Sequence, residues 1–212
     1  MRWDIFCRVI DNYGDAGVCW RLASDLHLRG EQVRVYIDDP ETLLRLAGQA
    51  LPQSDVLIAP WPNDDDQFET ADVADVVIEA FACDPPAAYV AAMALKAESG
   101  HSPAWINLEY LSAEAWIDAH HRLSSPHPRY SLTKYFYFPG FTPDSGGLLR
   151  EPTLKIEPAE SKPFDSTQPL RIFLFAYAQP ALAPWLGKLD NTILSVAICP
   201  ALEQIDLSLI HI

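Results

Sequence analysis

Short apolar runs alternate with amphipathic stretches through most of the chain. Residues 3–10 form an apolar run of the kind that makes a buried first strand. Val18, Leu22, Ala23 and Leu26 recur at helical spacing within 17–29, and Gly30 stands where a helix C-cap is expected. Residues 32–37 (Gln-Val-Arg-Val-Tyr-Ile) read as a second strand. Asp38, Asp39 and Pro40 then open a helix that runs to about Ala47. Two more apolar runs occupy 55–59 and 74–80, and an alanine-rich helix with proline at its start covers 86–98. A strand at 104–108 and a helical turn or more at 113–119 complete the series. Strands alternating with helices predict a mainly parallel, doubly wound α/β sheet, that is, a Rossmann-like domain.

The texture changes at 124–169. This stretch is dense in proline, carries Gly140, Gly146 and Gly147, and holds the aromatic run Tyr135-Phe136-Tyr137-Phe138 before the turn-rich Pro139-Gly140-Phe141-Thr142-Pro143-Asp144. An irregular lid or crossing segment followed by a linker is expected. A new strand begins at Leu170, a helical stretch follows at 180–189, and another strand at 192–198. These read as the opening of a second Rossmann-like unit, truncated because two strands do not bury a sheet alone. The expected division is a first domain over 1–165 and a fragment of a second over 166–212. The tail 206–212 does not continue the pattern.

Composition narrows the class. The chain has 212 residues, 49% of them apolar, enough to build a real core. Its formal net charge of -14 repels nucleic acid and anionic membrane surfaces and attracts basic partners. Neither nucleic acid nor a membrane is therefore expected as a partner, although an ordinary acidic protein would carry the same charge. The four cysteines, Cys7, Cys19, Cys83 and Cys199, show no CxxC spacing and read as core thiols. Together with the absence of a signal-peptide pattern and of any bilayer-length apolar stretch, they point to a cytoplasmic location.

The chemistry concentrates in the first strand-to-helix turn, Ile10-Asp11-Asn12-Tyr13-Gly14-Asp15-Ala16-Gly17. In an open α/β sheet such turns lie at the carboxyl edge, where ligands bind. Asp11 and Asp15 there can clamp a cation or take a proton, while Gly14 and Gly17 permit close approach. The competing explanation is that Asp15 merely caps the helix. A phosphate at the helix N-terminus fits less well beside two carboxylates. Asn107-Leu108-Glu109-Tyr110-Leu111-Ser112 puts polar groups at the end of an apolar strand, so Glu109 is a second cleft candidate, with a helix cap at Ser112 as the alternative. Phe175 and Tyr177 alternate on one strand and face one side, as a nucleobase platform or as plain core. Asp64-Asp65-Asp66 reads as a solvated loop. His120, His121 and His127 read as surface residues with no zinc spacing, so no metal and no cofactor are expected. P-loop, GxGxxG, GxSxG and HExxH motifs are absent from the sequence.

The run 3–23 resembles the start of the bacterial protein-arginine rhamnosyltransferases that modify elongation factor P, the EarP family. Trp105-Ile106-Asn107-Leu108-Glu109-Tyr110-Leu111-Ser112-Ala113-Glu114 is similar to a second family motif. Phe138-Pro139-Gly140-Phe141 with Gly146-Gly147-Leu148-Leu149-Arg150-Glu151 is similar to a third, and Leu174-Phe175-Ala176-Tyr177 to the opening of the nucleotide-binding half. The resemblance implies a GT-B glycosyltransferase with two Rossmann-like domains facing across a cleft. The first holds elongation factor P, with Asn12, Tyr13, Gly14, Gly17 and Glu109 lining the acceptor side. The second holds the donor substrate dTDP-β-L-rhamnose through Phe175 and Tyr177. It also implies single-displacement transfer to arginine with inversion, Asp15 as general base and Asp11 as orienting carboxylate. A binding module for a basic protein without chemistry, or a GT-B transferase using another nucleotide sugar, are the competing readings.

Overall fold

The computed structural model describes residues 1–10, 13–48, 55–63 and 65–151, the backbone of 170–174 and 193–198, and positions 184 and 188. The chain divides into two units, Met1–Lys155 and Ile156–Ile212.

The first unit is built on β1 (Arg2–Cys7), α1 (Tyr13–Leu28), β2 (Gln32–Ile37), α2 (Pro40–Ala47), β3 (Leu57–Pro60), β4 (Val76–Ala80), α3 (Ala87–Glu98), β5 (Ala104–Leu108), the single turn α4 (Ile117–His120), β6 (Ser124–Pro126) and β7 (Thr133–Tyr137). Its seven strands lie in the order β3-β2-β1-β4-β5-β7-β6. All pairs are parallel except β6 with β7. The first six positions follow the doubly wound order 3-2-1-4-5-6, so the sheet is Rossmann-like.

Period-two alternation in β1 explains the two layers. Ile5 and Cys7 join a core with Ala23 and Leu26 of α1 and Leu43 of α2. Phe6 points the other way, into a core with Tyr36, Tyr89, Met93 and Trp105, the side covered by α3. Helices therefore cover both faces, and the near-continuous apolar run of β1 is the mark of a strand buried twice. Each helix end also has a local cause. Asp39 accepts from the backbone N–H of Thr42 at 3.2 Å to start α2. After α1, Gly30 takes φ +86°, its N–H reaches the His27 carbonyl at 2.8 Å, and the Glu31 N–H reaches Leu26 at 3.1 Å. Those two bonds make a Schellman cap.

Two expectations change. The stretch from 124 is no irregular lid at its start: Tyr135, Phe136 and Tyr137 of the aromatic run belong to β7, which completes the parallel sheet beside β5. Backbone pairing to β5 overrides the local proline and turn signals, and the hairpin with β6 closes the edge. The expected helix at 113–119 shortens to α4, with Trp116 as its N-cap. Of the second unit, β8 (Leu170–Leu174) and β9 (Ile193–Ile198) are described, and they pair in parallel. Of the predicted helix at 180–189 only positions 184 and 188 are described.

Candidate functional site at the carboxyl edge

The strand order reverses at β1, which lies between β2 and β4. That is the switch point where open α/β sheets leave a crevice beyond their strand ends. The turn leaving β1 is held by two carboxylates. Val9 donates its backbone N–H to Asp38 Oδ1 at 2.8 Å, and Ile10 donates to Asp15 Oδ2 at 2.9 Å. Asp15 lies in the first turn of α1, where the helix dipole favours negative charge. It does not cap its own helix through this bond but reaches back to the turn that precedes it. Its side chain is 0% exposed, and its other oxygen, Oδ1, accepts a hydrogen bond from the Tyr110 hydroxyl at 2.9 Å.

Tyr110 follows β5, and its ring lies flat on Phe81, which follows β4, with centroids 4.1 Å apart and planes 10° from parallel. Phe81, Ala82 and Asp84 all occupy the left-handed region, at φ 57°, 54° and 50°. Such conformations cost of order 1–3 kcal/mol each and persist only where surrounding bonds impose them. Here Phe81 N–H binds the Leu108 carbonyl at 2.7 Å, and Ala82 N–H binds Asn107 Oδ1 at 3.0 Å. Asn107 is fully buried, and its Nδ2 donates to Glu109 Oε1 at 2.5 Å. One amide thus ties the end of β4 to the acid at the end of β5.

The structure accordingly brings Asp15 and Glu109 to the same sheet edge, linked through Tyr110, Phe81 and Asn107. Tyr13 and Gly14 lie in the first turn of α1, half-buried and exposed respectively. Gly17 faces α2, where an added Cβ would meet Leu46 Cδ1 at an ordinary 3.9 Å. Asp11, Asn12, Phe175 and Tyr177 lie outside the described residues. Sequence reasoning passed over Tyr110 and Phe81 as site residues. Tyr110 stood inside the polar run after β5, a usable signal, whereas Phe81 carried none.

Other candidates resolve into structural roles. Cys7, Cys19 and Cys83 are buried free thiols, and Cys199 lies outside the described residues. A hydrogen bond with the Cys7 thiol, then burial, holds the Cys19 thiol well above its ordinary range; burial pushes the Cys83 thiol up to about 12. Cys19 and Cys83 therefore stay protonated and are poor nucleophiles. His121 is not a plain surface residue: its Nδ1 accepts the Phe138 N–H at 3.1 Å, and burial lowers its pKa. His127 Nδ1 accepts the N–H groups of Arg129 and Tyr130, each at 3.2 Å. Among the described residues no group of three or more His, Cys, Asp or Glu converges on a point that could hold a metal. No helix among them is long and apolar enough to cross a membrane.

Two cavities lie away from Asp15. One of about 590 Å³ opens at the amino edge around Arg2, Asp4 and Arg34. Arg34 grips Asp4 there through two bonds of 3.0 and 2.7 Å, and the Tyr89 hydroxyl adds a third. Another, of about 480 Å³, lies between α3 and the β6–β7 hairpin, lined by Trp105, Lys134 and Arg129.

Fold and site together define a Rossmann-like α/β unit that carries a buried, tyrosine-bound carboxylate at its switch point. The family described as "Elongation-Factor P (EF-P) rhamnosyltransferase EarP" matches residues 3–205. The chain belongs to this family. A protein-arginine rhamnosyltransferase of Pseudomonas aeruginosa is 41% identical over 210 residues, covering 89% of this chain and 54% of that protein. One from Pseudomonas putida is 42% identical over 211 residues, covering 88% and 53%. One from Neisseria meningitidis is 44% identical over 153 residues, covering 69% and 38%. The chain thus spans about half the length of the two Pseudomonas relatives.

Proposed function

We propose that this chain holds the acceptor-binding domain (1–165) and a fragment of the nucleotide-sugar-binding domain (166–212) of an inverting GT-B glycosyltransferase. The enzyme would move L-rhamnose from dTDP-β-L-rhamnose to an arginine side chain of elongation factor P in the cytoplasm. The observation that carries the reading is Asp15, bound by the Ile10 N–H and the Tyr110 hydroxyl at the switch point, in a chain that matches the rhamnosyltransferase family over 3–205. The domain limits 1–165 and 166–212 belong to the same proposal, as do Asp11, Asn12, Phe175 and Tyr177.

The chemistry sets the demand. A guanidinium is protonated at any physiological pH, with a pKa above about 12, so its nitrogen is a poor nucleophile. A carboxylate binds it through charge-assisted hydrogen bonds and orients one nitrogen. As that nitrogen bonds to the sugar C1, the bond from C1 to the donor phosphate oxygen breaks and its electron pair leaves with the diphosphate. The nitrogen loses its proton to Asp15 in the same event, which avoids free neutral guanidine. Asp11 orients the group, and Glu109, steered by Asn107, borders the acceptor side. The acidic chain suits a basic acceptor face.

The test is mass spectrometry of elongation factor P incubated with dTDP-rhamnose and a polypeptide of full family length carrying this segment. A deoxyhexose on arginine is expected, with Asp15→Asn abolishing it while donor binding survives. Near-normal turnover of that variant would remove Asp15 from the role of base. Association without a mass change would leave only a binding module.

A further inference from the structure

A base that takes a proton from a substrate must touch it, yet Asp15 is 0% exposed. The described group that covers Oδ1 is the Tyr110 hydroxyl, at 2.9 Å. Tyr110 itself is 49% exposed and rests its ring on Phe81. We infer that Tyr110 is a displaceable cap on Asp15: its hydroxyl occupies the carboxylate oxygen that an arriving guanidinium takes, and acceptor binding moves it aside. This rests on the proposed role of Asp15 and makes Tyr110 a positioning residue for the acceptor.

Three observations support displacement rather than permanent closure. First, the exchange is favourable in kind. A neutral hydroxyl leaves a carboxylate, and a cationic N–H, which adds ion-pair attraction and a fork geometry to the hydrogen bond, replaces it. Second, the cap sits on a yielding anchor. Its ring stacks on Phe81 and is half exposed, so the phenol has open solvent to move into. By contrast, the bond to the other oxygen comes from the Ile10 backbone, which keeps Asp15 oriented while Oδ1 changes partner. Third, the Phe81 platform is itself fixed. Leu108 and Asn107 pin its left-handed turn, so the ring that Tyr110 slides across stays in place. The displaced phenol ring remains beside the planar guanidinium, where an aromatic face attracts a cation.

The cap taxes acceptor binding, because only the uncapped fraction is competent. Removing the hydroxyl should lift that tax, which is the opposite of what loss of a purely structural residue does. Tyr110→Phe keeps the ring and deletes the O–H. In the full-length polypeptide the expected result is a KM for elongation factor P about tenfold lower with kcat within about twofold, as expected for a hydrogen bond to a charged group. Phe81→Leu keeps every hydrogen-bonding side chain and loosens only the stack. It should lower the same KM by a smaller factor, and it serves if Tyr110→Phe folds poorly. A KM that is unchanged or raised in Tyr110→Phe overturns the cap, as does a collapse of kcat at constant KM; where that variant folds poorly, an unchanged or raised KM in Phe81→Leu overturns it. Asp15→Asn run in parallel separates the two ideas. If it is inactive while Tyr110→Phe leaves KM unchanged or raised, the cap fails and the base stands; if it is active, both fail.

Discussion

Single side chains carry this site, and their effects can be told apart. Asn107→Ala would leave the Ala82 N–H without its acceptor and Glu109 without its donor. A loss of about 1–3 kcal/mol is expected in urea unfolding, the worth of two part-buried hydrogen bonds, one of them to a carboxylate. On the proposed function, transfer by the full-length polypeptide should fall with it, because the left-handed turn under Tyr110 loosens. Glycines divide by the reason each is needed. At Gly140 an added Cβ would meet Ile117 Cδ1 at 2.6 Å and Ser145 Cβ at 2.7 Å, so space is the constraint. Gly140→Ala should cost about 1–3 kcal/mol through overpacking. At Gly30 nothing lies within 4 Å, and φ +86° is the constraint. Gly30→Ala should therefore cost only about 1 kcal/mol, all of it conformational. Thermal melts of the two variants would rank them in that order.

Helices and strands were readable to the extent that their signals were local. The Schellman cap after α1 needed only Gly30 in the right place, and α2 needed only Asp39 and Pro40. The strand at 104–108 was placed to the residue, because an apolar run bounded by turn residues has no other use. β7 was missed because its evidence is not local. Its aromatic run became a strand through hydrogen bonds to β5, and no window of sequence contains that partner. Pairing between distant motifs shows the same limit. Arg21 in α1 binds Glu151 through Nε–Oε1 and Nη2–Oε2, at 2.5 and 3.0 Å, joining two of the stretches that resemble family motifs. The Arg21 guanidinium holds the Glu151 carboxyl down at about 2. A depressed carboxyl contributes stability above its unfolded value, near about 4.3, and loses it as pH falls through the folded one. Arg21→Gln should move the NMR titration of Glu151 back up toward its ordinary range. The change in stability at pH 7 should be under about 1 kcal/mol, because the pair is partly exposed.

Across the sheet, one ion pair joins β4 to β7 within the first unit. Glu79 is fully buried, and Lys134 Nζ reaches its two oxygens at 3.2 and 3.0 Å. Burial raises the Glu79 pKa, and the Lys134 charge opposes that rise. Lys134→Ala would strand a buried carboxylate, with an expected loss of about 3–5 kcal/mol at pH 7. The sign with pH is fixed by the raised folded value. Its favourable contribution is full below the unfolded pKa and disappears as pH rises through the folded one. The variant should therefore regain part of its stability as pH falls toward 5, and denaturant midpoints at several pH values would show it. The parent should gain less, since Lys134 already holds the charged form.

Elements, their order and the residue types at the first turn followed from periodicity, capping and turn chemistry, all of which act over a few neighbours. The partners of Asp15 did not. Tyr110 stands 95 residues away from it, and Phe81 packs on Tyr110 from a different strand end. A parallel sheet brings such residues together only after its crossovers have set the strand order, because contacts of that separation depend on chain topology and not on local preference. For that reason the family motifs could be recognised one at a time, while the buried state of the carboxylate and the tyrosine over it had to come from the folded chain.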